Sequence, residues 1–218
     1  MGSVGSGKST LGCQLVEHYR LLHPRHILYV IDPKGRYVAI DDEESGLVFP
    51  DGVTAVNHGR IDGVTVNARL IRDPYGFRFK GERTFLVQGV EKTFELFDWL
   101  FHNADVRIPT LLFNDESFDF MRGVRADPSF RRIVQLGREL GIGHVTINQR
   151  PSWIDATLLS ESERLYVGSL NYAGDRKKVA EIAAIEDARR LLSPLRRRHF
   201  LMVDQTQGIA QEFTLKAA

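Results

Sequence analysis

The 218-residue chain is 43% hydrophobic and 26% charged, a composition that describes one soluble globular domain with a full core. Its 29 basic and 28 acidic residues leave a formal charge of +1, which excludes a strongly basic protein that coats nucleic acid and excludes an acidic solvating tail. Cys13 is the single cysteine, which favours a reducing compartment; no apolar run reaches the ~18–20 residues of a membrane span, and no basic-then-apolar secretory leader is read.

In chain order, Lys8 to Leu22 carries Leu11, Leu15, Val16, Tyr19 and Leu22 at helical spacing. Ile27 to Ile31 is a continuous apolar run of the length of a buried strand. From about Gly35 to Gly89 the texture turns to short β-type pieces, Leu47 to Phe49, Val64 to Ile71, Phe77 to Phe79 and Phe85 to Gln88, whose Gly, Asp and Pro separators predict hairpins at an edge. Glu91 to His102 reads as an amphipathic helix with Phe94, Phe97, Trp99 and Phe101, of which Phe94, Phe97 and Trp99 are assigned to a core or a subunit interface. A strand at Thr110 to Phe113, a helix at Ser129 to Leu140, a strand at His144 to Asn148 and a short strand at Leu165 to Gly168 follow. Arg176 to Arg190 is expected to be helical, and two closing strands, Phe200 to Val203 and Ile209 to Phe213, flank a turn at Gln205 to Gly208. Strands alternating with helices predict an α/β domain, 1–218, with parallel central strands and a β-rich insertion at about 36–89. The order of the strands is not readable from this pattern.

Gly2, Ser3, Val4, Gly5, Ser6, Gly7, Lys8, Ser9 and Thr10 satisfy the phosphate-loop pattern in full and run straight into the first helix. Glycines let the backbone wrap phosphates with N–H groups pointing inward, and the helix N-terminus adds positive potential. Lys8 is expected at the β- and γ-phosphates of ATP, and the Ser9 hydroxyl on Mg²⁺. Such a loop hangs from the end of a buried strand, and only Met1 precedes it here. The first core strand is therefore expected to be missing ahead of residue 1, or the sheet to be completed differently.

Asp115 and Glu116 end the apolar run that begins at Ile108. Ligands collect at the carboxyl ends of parallel strands, so these acids are expected beside the phosphate loop. Asp115 would hold Mg²⁺ and Glu116 would polarise the attacking water. An acid next to the metal-holding aspartate fits a hydrolase better than a small-molecule kinase. Gln149, past the next strand, is placed to sense the γ-phosphate. The seven histidines show no metal-ligand spacing with Cys13, which argues against zinc.

Four blocks together, Gly-Ser-Gly-Lys-Ser at 5–9, Val-Ile-Asp-Pro-Lys-Gly at 30–35, Leu-Leu-Phe-Asn-Asp-Glu at 111–116 and Gly-Arg-Glu-Leu-Gly-Ile at 137–142 running into Asn-Gln-Arg-Pro-Ser at 148–152, resemble the FtsK–HerA superfamily of ring-forming DNA-pumping ATPases. The likeness spans 2–35 and 108–178, is thin across 36–107, and departs from the family at Asn114, where an aliphatic residue is usual. It implies a RecA/ASCE-like P-loop NTPase fold, a mostly parallel sheet flanked by helices and closed by a C-terminal β-hairpin. It also implies Gln149 as sensor and an arginine finger from a neighbouring subunit, for which Arg138 is the best match and Arg150 and Arg131 are rivals. A bare core of this length is similar to the genome-packaging ATPases of membrane-containing icosahedral phages and archaeal viruses. That likeness implies double-stranded DNA as cargo, a homo-oligomeric ring expected to be a hexamer, a capsid vertex or portal partner, and residence in the host cytoplasm. A conjugation or secretion ATPase of the same superfamily, and an ATP-dependent assembly switch that pumps nothing, are the alternatives.

A motor grips the phosphate backbone with Arg and Lys on moving loops. Residues 120–150 hold six arginines against two acids in a nearly neutral chain. Arg122 and Arg125, directly after the acidic pair, and Arg176 and Lys177, further on, are the candidate DNA contacts; each also reads as a solvated charge or an intersubunit contact. Arg196 to Arg198 reads either as a nucleic-acid or capsid contact or as a solvated strand start.

Overall fold

A computed structural model describes residues 1–2, 5–40, 48–49, 66–67, 70–72, 78–80, 83–116, 127–183 and 195–215. Its elements in chain order are α1 (Lys8–Leu22), β1 (Ile27–Asp32), β2 (Val38–Ile40), β3 (Val48–Phe49), β4 (Val66–Asn67), β5 (Leu70–Arg72), β6 (Arg78–Lys80), β7 (Thr84–Gln88), α2 (Val90–Asn103) and β8 (Thr110–Asp115). After these come α3 (Pro128–Leu140), β9 (Ile142–Ile147), a 3-10 turn (Pro151–Trp153), α4 (Ala156–Ser160), β10 (Arg164–Val167), α5 (Ala173–Ala183), β11 (His199–Asp204) and β12 (Ile209–Thr214).

The central sheet runs β4-β7-β1-β8-β9. Its last four strands are parallel, with Leu28 opposite both Thr84 and Leu111, and Leu112 opposite His144; β4 is an antiparallel edge. Every residue of β1, β7 and β8 is buried, which is why these strands read as unbroken apolar runs rather than alternating ones. Strand pleating sorts β1 between two cores. Ile27, Tyr29 and Ile31 join Leu96, Phe97 and Leu100 of α2 and Phe130, Ile133 and Val134 of α3. Leu28 and Val30 join Cys13 and Val16 of α1 with Phe113 and Ile147 on the other face. The Phe97 and Phe130 rings meet at 4.5 Å, and each fully buried side chain of this size contributes roughly 1.5–3 kcal/mol.

The helix ends follow from local chemistry. Asp127 caps α3 by accepting the Phe130 N–H at 2.7 Å, Pro128 opens its first turn, and Gly141 at φ 68 closes it with its N–H on Arg138 O.

The expected piece Phe85 to Gln88 is not an edge hairpin: it is β7, a parallel strand inside the central sheet next to β1. Period and turn residues identify a strand without naming its partner, and here the partner lies on the far side of the insertion. The β-rich insertion proper is the antiparallel sheet β3-β2-β5-β6; its Phe79 packs on the α1 side of the core, 5.5 Å from the Phe113 ring. The expected helix at 176–190 begins earlier, at Ala173, and 184–190 lie outside the described residues. The closing strands form a hairpin that pairs with β10 as an antiparallel sheet, β10-β11-β12. That sheet packs Phe200 and Leu215 against Leu11 of α1.

Candidate active site

Gly5 and Gly7 of the phosphate-loop motif lie against the C-terminal hairpin. Gly5 at φ 74 and Gly7 at φ 94 sit in the left-handed region that favours glycine, so the chain turns sharply into α1. A Cβ on Gly7 would meet Leu215 Cδ2 at 3.4 Å, and Arg197 Nε donates to Gly5 O at 3.0 Å. The C-terminal hairpin therefore supports the loop from below, with Arg197 bridging 192 positions of sequence. Ser3 and Val4 lie outside the described residues; Gly2 and Gly5 to Thr10 are within them.

The carboxyl ends of β8 and β9 deliver the chemical groups. Ser9 Oγ donates to Asp115 Oδ1 at 3.5 Å, and Gln149 Nε2 donates to Glu116 Oε1 at 2.8 Å. Burial pulls the Lys8 ammonium below its usual range, against the pull of the Glu116 and Asp115 carboxylates. Burial likewise raises the Asp115 carboxyl, while Arg36 and the Tyr37 hydroxyl act to lower it. Lys8, Ser9, Asp115, Glu116 and Gln149 are thus brought together. Glu116 holds φ 70, rare for a residue with a side chain; such a conformation costs ~1–3 kcal/mol and persists only where its surroundings enforce it.

The loop after β1 supplies partners that the motifs did not assign. Lys34 Nζ stands 2.9 Å from Glu116 Oε1, and an Arg36 Nη2 stands 3.0 Å from Asp115 Oδ2 and 3.7 Å from Glu116 Oε2. Tyr37 donates its O–H to Asp115 Oδ2 at 3.0 Å and touches Cys13 Sγ at 3.8 Å. Burial, then Cys13 and Asp115, push the Tyr37 hydroxyl far above its ordinary range. The loop itself is tied by Asp32, whose Oδ2 accepts the Tyr37 N–H at 2.7 Å and Gln88 Nε2 at 3.0 Å. Arg36 and Tyr37 directly follow the quoted Asp-Pro-Lys-Gly block, so their position was the available signal; nothing local pointed to Gln88.

The arginines divide. Arg138 is highly exposed near the end of α3 and pairs with Glu163 at 2.8 Å. Arg131 donates to Thr157 Oγ1 at 3.1 Å. Arg150 is held more firmly, with Nε 2.8 Å from buried Asp175 and its guanidinium between the Trp153 and Tyr172 rings at 4.5 and 4.8 Å. Arg176, in α5, ties the helix to the segment before it through Leu170 O and Asn171 O, whereas Lys177 is largely exposed with Glu181 3.7 Å away. Arg122 and Arg125 lie outside the described residues. Among the described residues no helix is long and apolar enough to cross a membrane.

No family model and no curated protein matches the chain. Solved structures do. The genome packaging NTPase B204 of Sulfolobus turreted icosahedral virus 2, in complex with sulfate, superposes with a TM-score of 0.69 at 16% identity over 99% of this chain and 94% of that one. The DNA-packaging ATPase B204 of Sulfolobus Turreted Icosahedral Virus gives 0.67 at 18% identity, over 99% and 95%. The pCW3 conjugation coupling protein TcpA with ATPγS gives 0.57 at 15% identity, over 98% of this chain and 58% of that one. With its mostly parallel sheet flanked by helices, the chain shares the fold of these packaging and conjugation-coupling ATPases.

Proposed function

We propose that this chain hydrolyses ATP and uses the cleavage to move double-stranded DNA, most like a motor that packages viral DNA into a preformed capsid. The observation that carries the reading is the meeting of Lys8, Ser9, Asp115, Glu116 and Gln149 at the carboxyl ends of β8 and β9. The likeness to B204 supports DNA as cargo. Backbone N–H groups of the loop cradle the phosphates, Lys8 stabilises charge on the γ-phosphate, and Glu116 accepts a proton from the attacking water. Gln149 fixes the Glu116 carboxylate and reports the γ-phosphate to the loop beyond it.

The Ser9 hydroxyl and the Asp115 carboxylate are hard oxygen donors 3.5 Å apart, a set that fits Mg²⁺. These two residues would hold the ion, which when bound would neutralise charge developing on the phosphates. The reading extends to a ring, taken as a hexamer, in which exposed Arg138 reaches the neighbour's nucleotide, with a capsid vertex or portal protein as partner in the host cytoplasm. Lys177, Arg122 and Arg125 are proposed to face DNA, with Arg176 tying α5, which carries Lys177, to the segment before it.

The likeness to a conjugation coupling protein supports a second reading, transfer of DNA or protein by a ring of the same build. Electron microscopy of the protein with duplex DNA and a slowly hydrolysed ATP analogue tests the first. Rings with duplex in a central channel are expected; monomers that leave the duplex bare would overturn it, and a binder of nucleotide alone would be an assembly switch.

A further inference from the structure

Gln149 lies past the paired part of β9. The ladder between β8 and β9 ends with Asp115 opposite Ile147, two residues before the amide that holds Glu116. What fixes Gln149 must therefore include the chain that follows it. That chain is short and stiff. Arg150 is extended at φ −123 and ψ 93, as a residue before proline prefers, and Pro151 opens the 3-10 turn. The Trp153 N–H closes this turn on Arg150 O at 3.1 Å. A shift of the turn is passed back to Gln149, since few dihedrals lie between them.

Helix α5 grips the turn at three places. Asp175, in its first turn, is only 2% exposed. Its Oδ2 accepts the Arg150 Nε–H at 2.8 Å, and its Oδ1 accepts the Ser152 N–H at 3.0 Å. Lys178 donates its ammonium to Ile154 O, just past the turn. A first-turn carboxylate is favoured by the helix dipole whatever it touches. Here both oxygens are directed outside their own helix, so the dipole alone does not account for the residue. The Arg150 guanidinium is further fixed between the Trp153 and Tyr172 rings. Val179 of α5 and Ile154 lie in one core cluster with Phe97 and Ile133, which anchors the clamp to the body of the domain.

We propose that Asp175 is a positioning residue for ATP cleavage: through Arg150 it holds the turn that sets the Gln149 amide on Glu116, and so fixes the direction of that carboxylate. The proposal rests on the reading of Glu116 as the group that takes a proton from the attacking water. It uses no residue of a neighbouring subunit and is independent of the cargo.

Asp175→Asn breaks the clamp selectively. The remaining oxygen keeps the Ser152 bond, while the new NH2 takes the place of Oδ2 and meets the Arg150 Nε–H donor to donor. The test measures ATP turnover in the unmodified chain, Asp175→Asn, Gln149→Ala and the double variant. The Gln149 side-chain amide, assigned by its loss in Gln149→Ala, is followed by NMR without nucleotide. Asp175→Asn is expected to lower kcat at least roughly tenfold, since a displacement of about 1 Å set far from the chemistry can cost about 10²-fold. KM should stay within about twofold. In the Gln149→Ala background the same substitution should change kcat by less than about twofold, because the two residues act in series. The Gln149 amide signal should move and exchange faster with water.

A further tenfold fall in the Gln149→Ala background overturns the proposal, because Asp175 then acts by another route. Asp204→Asn is the matched control, since buried Asp204 accepts Arg164 Nε at 3.0 Å within the C-terminal sheet. A kcat loss of equal size there also overturns it, in favour of general loosening. If Asp175→Asn does not fold, Arg150→Gln breaks the same bond from the other side, and an unmoved Gln149 amide in that variant rejects the proposal. If the unmodified chain leaves ATP intact, the proposed function fails on its own. The Gln149 amide then decides the clamp: a shift in Asp175→Asn supports it, and an unmoved signal overturns it.

Discussion

Gln149 donates its Nε2–H to Oε1 of Glu116 at 2.8 Å, across 33 positions of sequence. The same oxygen lies 2.9 Å from Lys34 Nζ. Two elements thus hold the carboxylate from different sides, one after β9 and one after β1. Removing the amide leaves Lys34 in place and frees the carboxylate to turn. Gln149→Ala is expected to lower the turnover of ATP roughly 10- to 100-fold, the range seen when a group that orients a reacting residue is lost. ATP affinity should change little. Single-turnover hydrolysis beside equilibrium nucleotide binding separates the two.

Arg36 reaches both acids, and its loss leaves the buried Asp115 carboxylate with the Tyr37 hydroxyl and Ser9 as hydrogen-bond partners. Arg36→Ala is expected to destabilise the fold by about 1–3 kcal/mol, the cost of leaving a buried polar group short of a partner. Arg36→Lys should recover part of that. Denaturant unfolding of the three proteins measures it.

Tyr37 lowers the Asp115 carboxyl by hydrogen bonding, while burial raises it from 3.8. Tyr37→Phe removes the lowering contribution, so the carboxyl protonates at higher pH than in the unmodified chain. The acid limb of Mg²⁺-dependent ATP binding is therefore expected to move to higher pH, since a protonated Asp115 no longer binds the ion. An unmoved limb, followed by a fluorescent ATP analogue from pH 4 to 8 or so, would remove Asp115 from the metal site.

Gly137 sits in the last turn of α3, where a Cβ would lie 2.5 Å from the Ile142 carbonyl oxygen at the start of β9. A backbone oxygen yields little. Gly137→Ala is expected to destabilise by about 1–3 kcal/mol through overpacking, although alanine favours a helix by up to ~1 kcal/mol. Calorimetric melting gives the sign directly.

Much of the architecture is legible in the residues. The helix Lys8 to Leu22 is found at the expected bounds because its start is set by Gly7 and its buried face by Leu11 and Val16. The candidate site groups are legible because each stands at a strand end or inside a short glycine-bearing motif. What was not legible depends on pairing over distance. Phe85 to Gln88 announces a strand, yet its place beside β1 is fixed by packing that no local period encodes. Arg197 reads as a nucleic-acid or capsid contact or as a solvated strand start; it is exposed, and its bond to Gly5 O, 192 positions away, is a long-range contact that no local pattern announces. Asp32 reads as part of a motif, and in the structure its carboxylate ties Tyr37 to Gln88, a pairing over distance that the motif does not announce.

Steady-state phosphate release, with and without duplex DNA, on the unmodified chain and on Glu116→Gln, tests the central claim most directly. The account predicts release that rises several-fold with duplex, and that falls roughly 10²- to 10⁴-fold in the variant while ATP binding persists. Release that ignores DNA and survives the loss of the Glu116 carboxylate would contradict it.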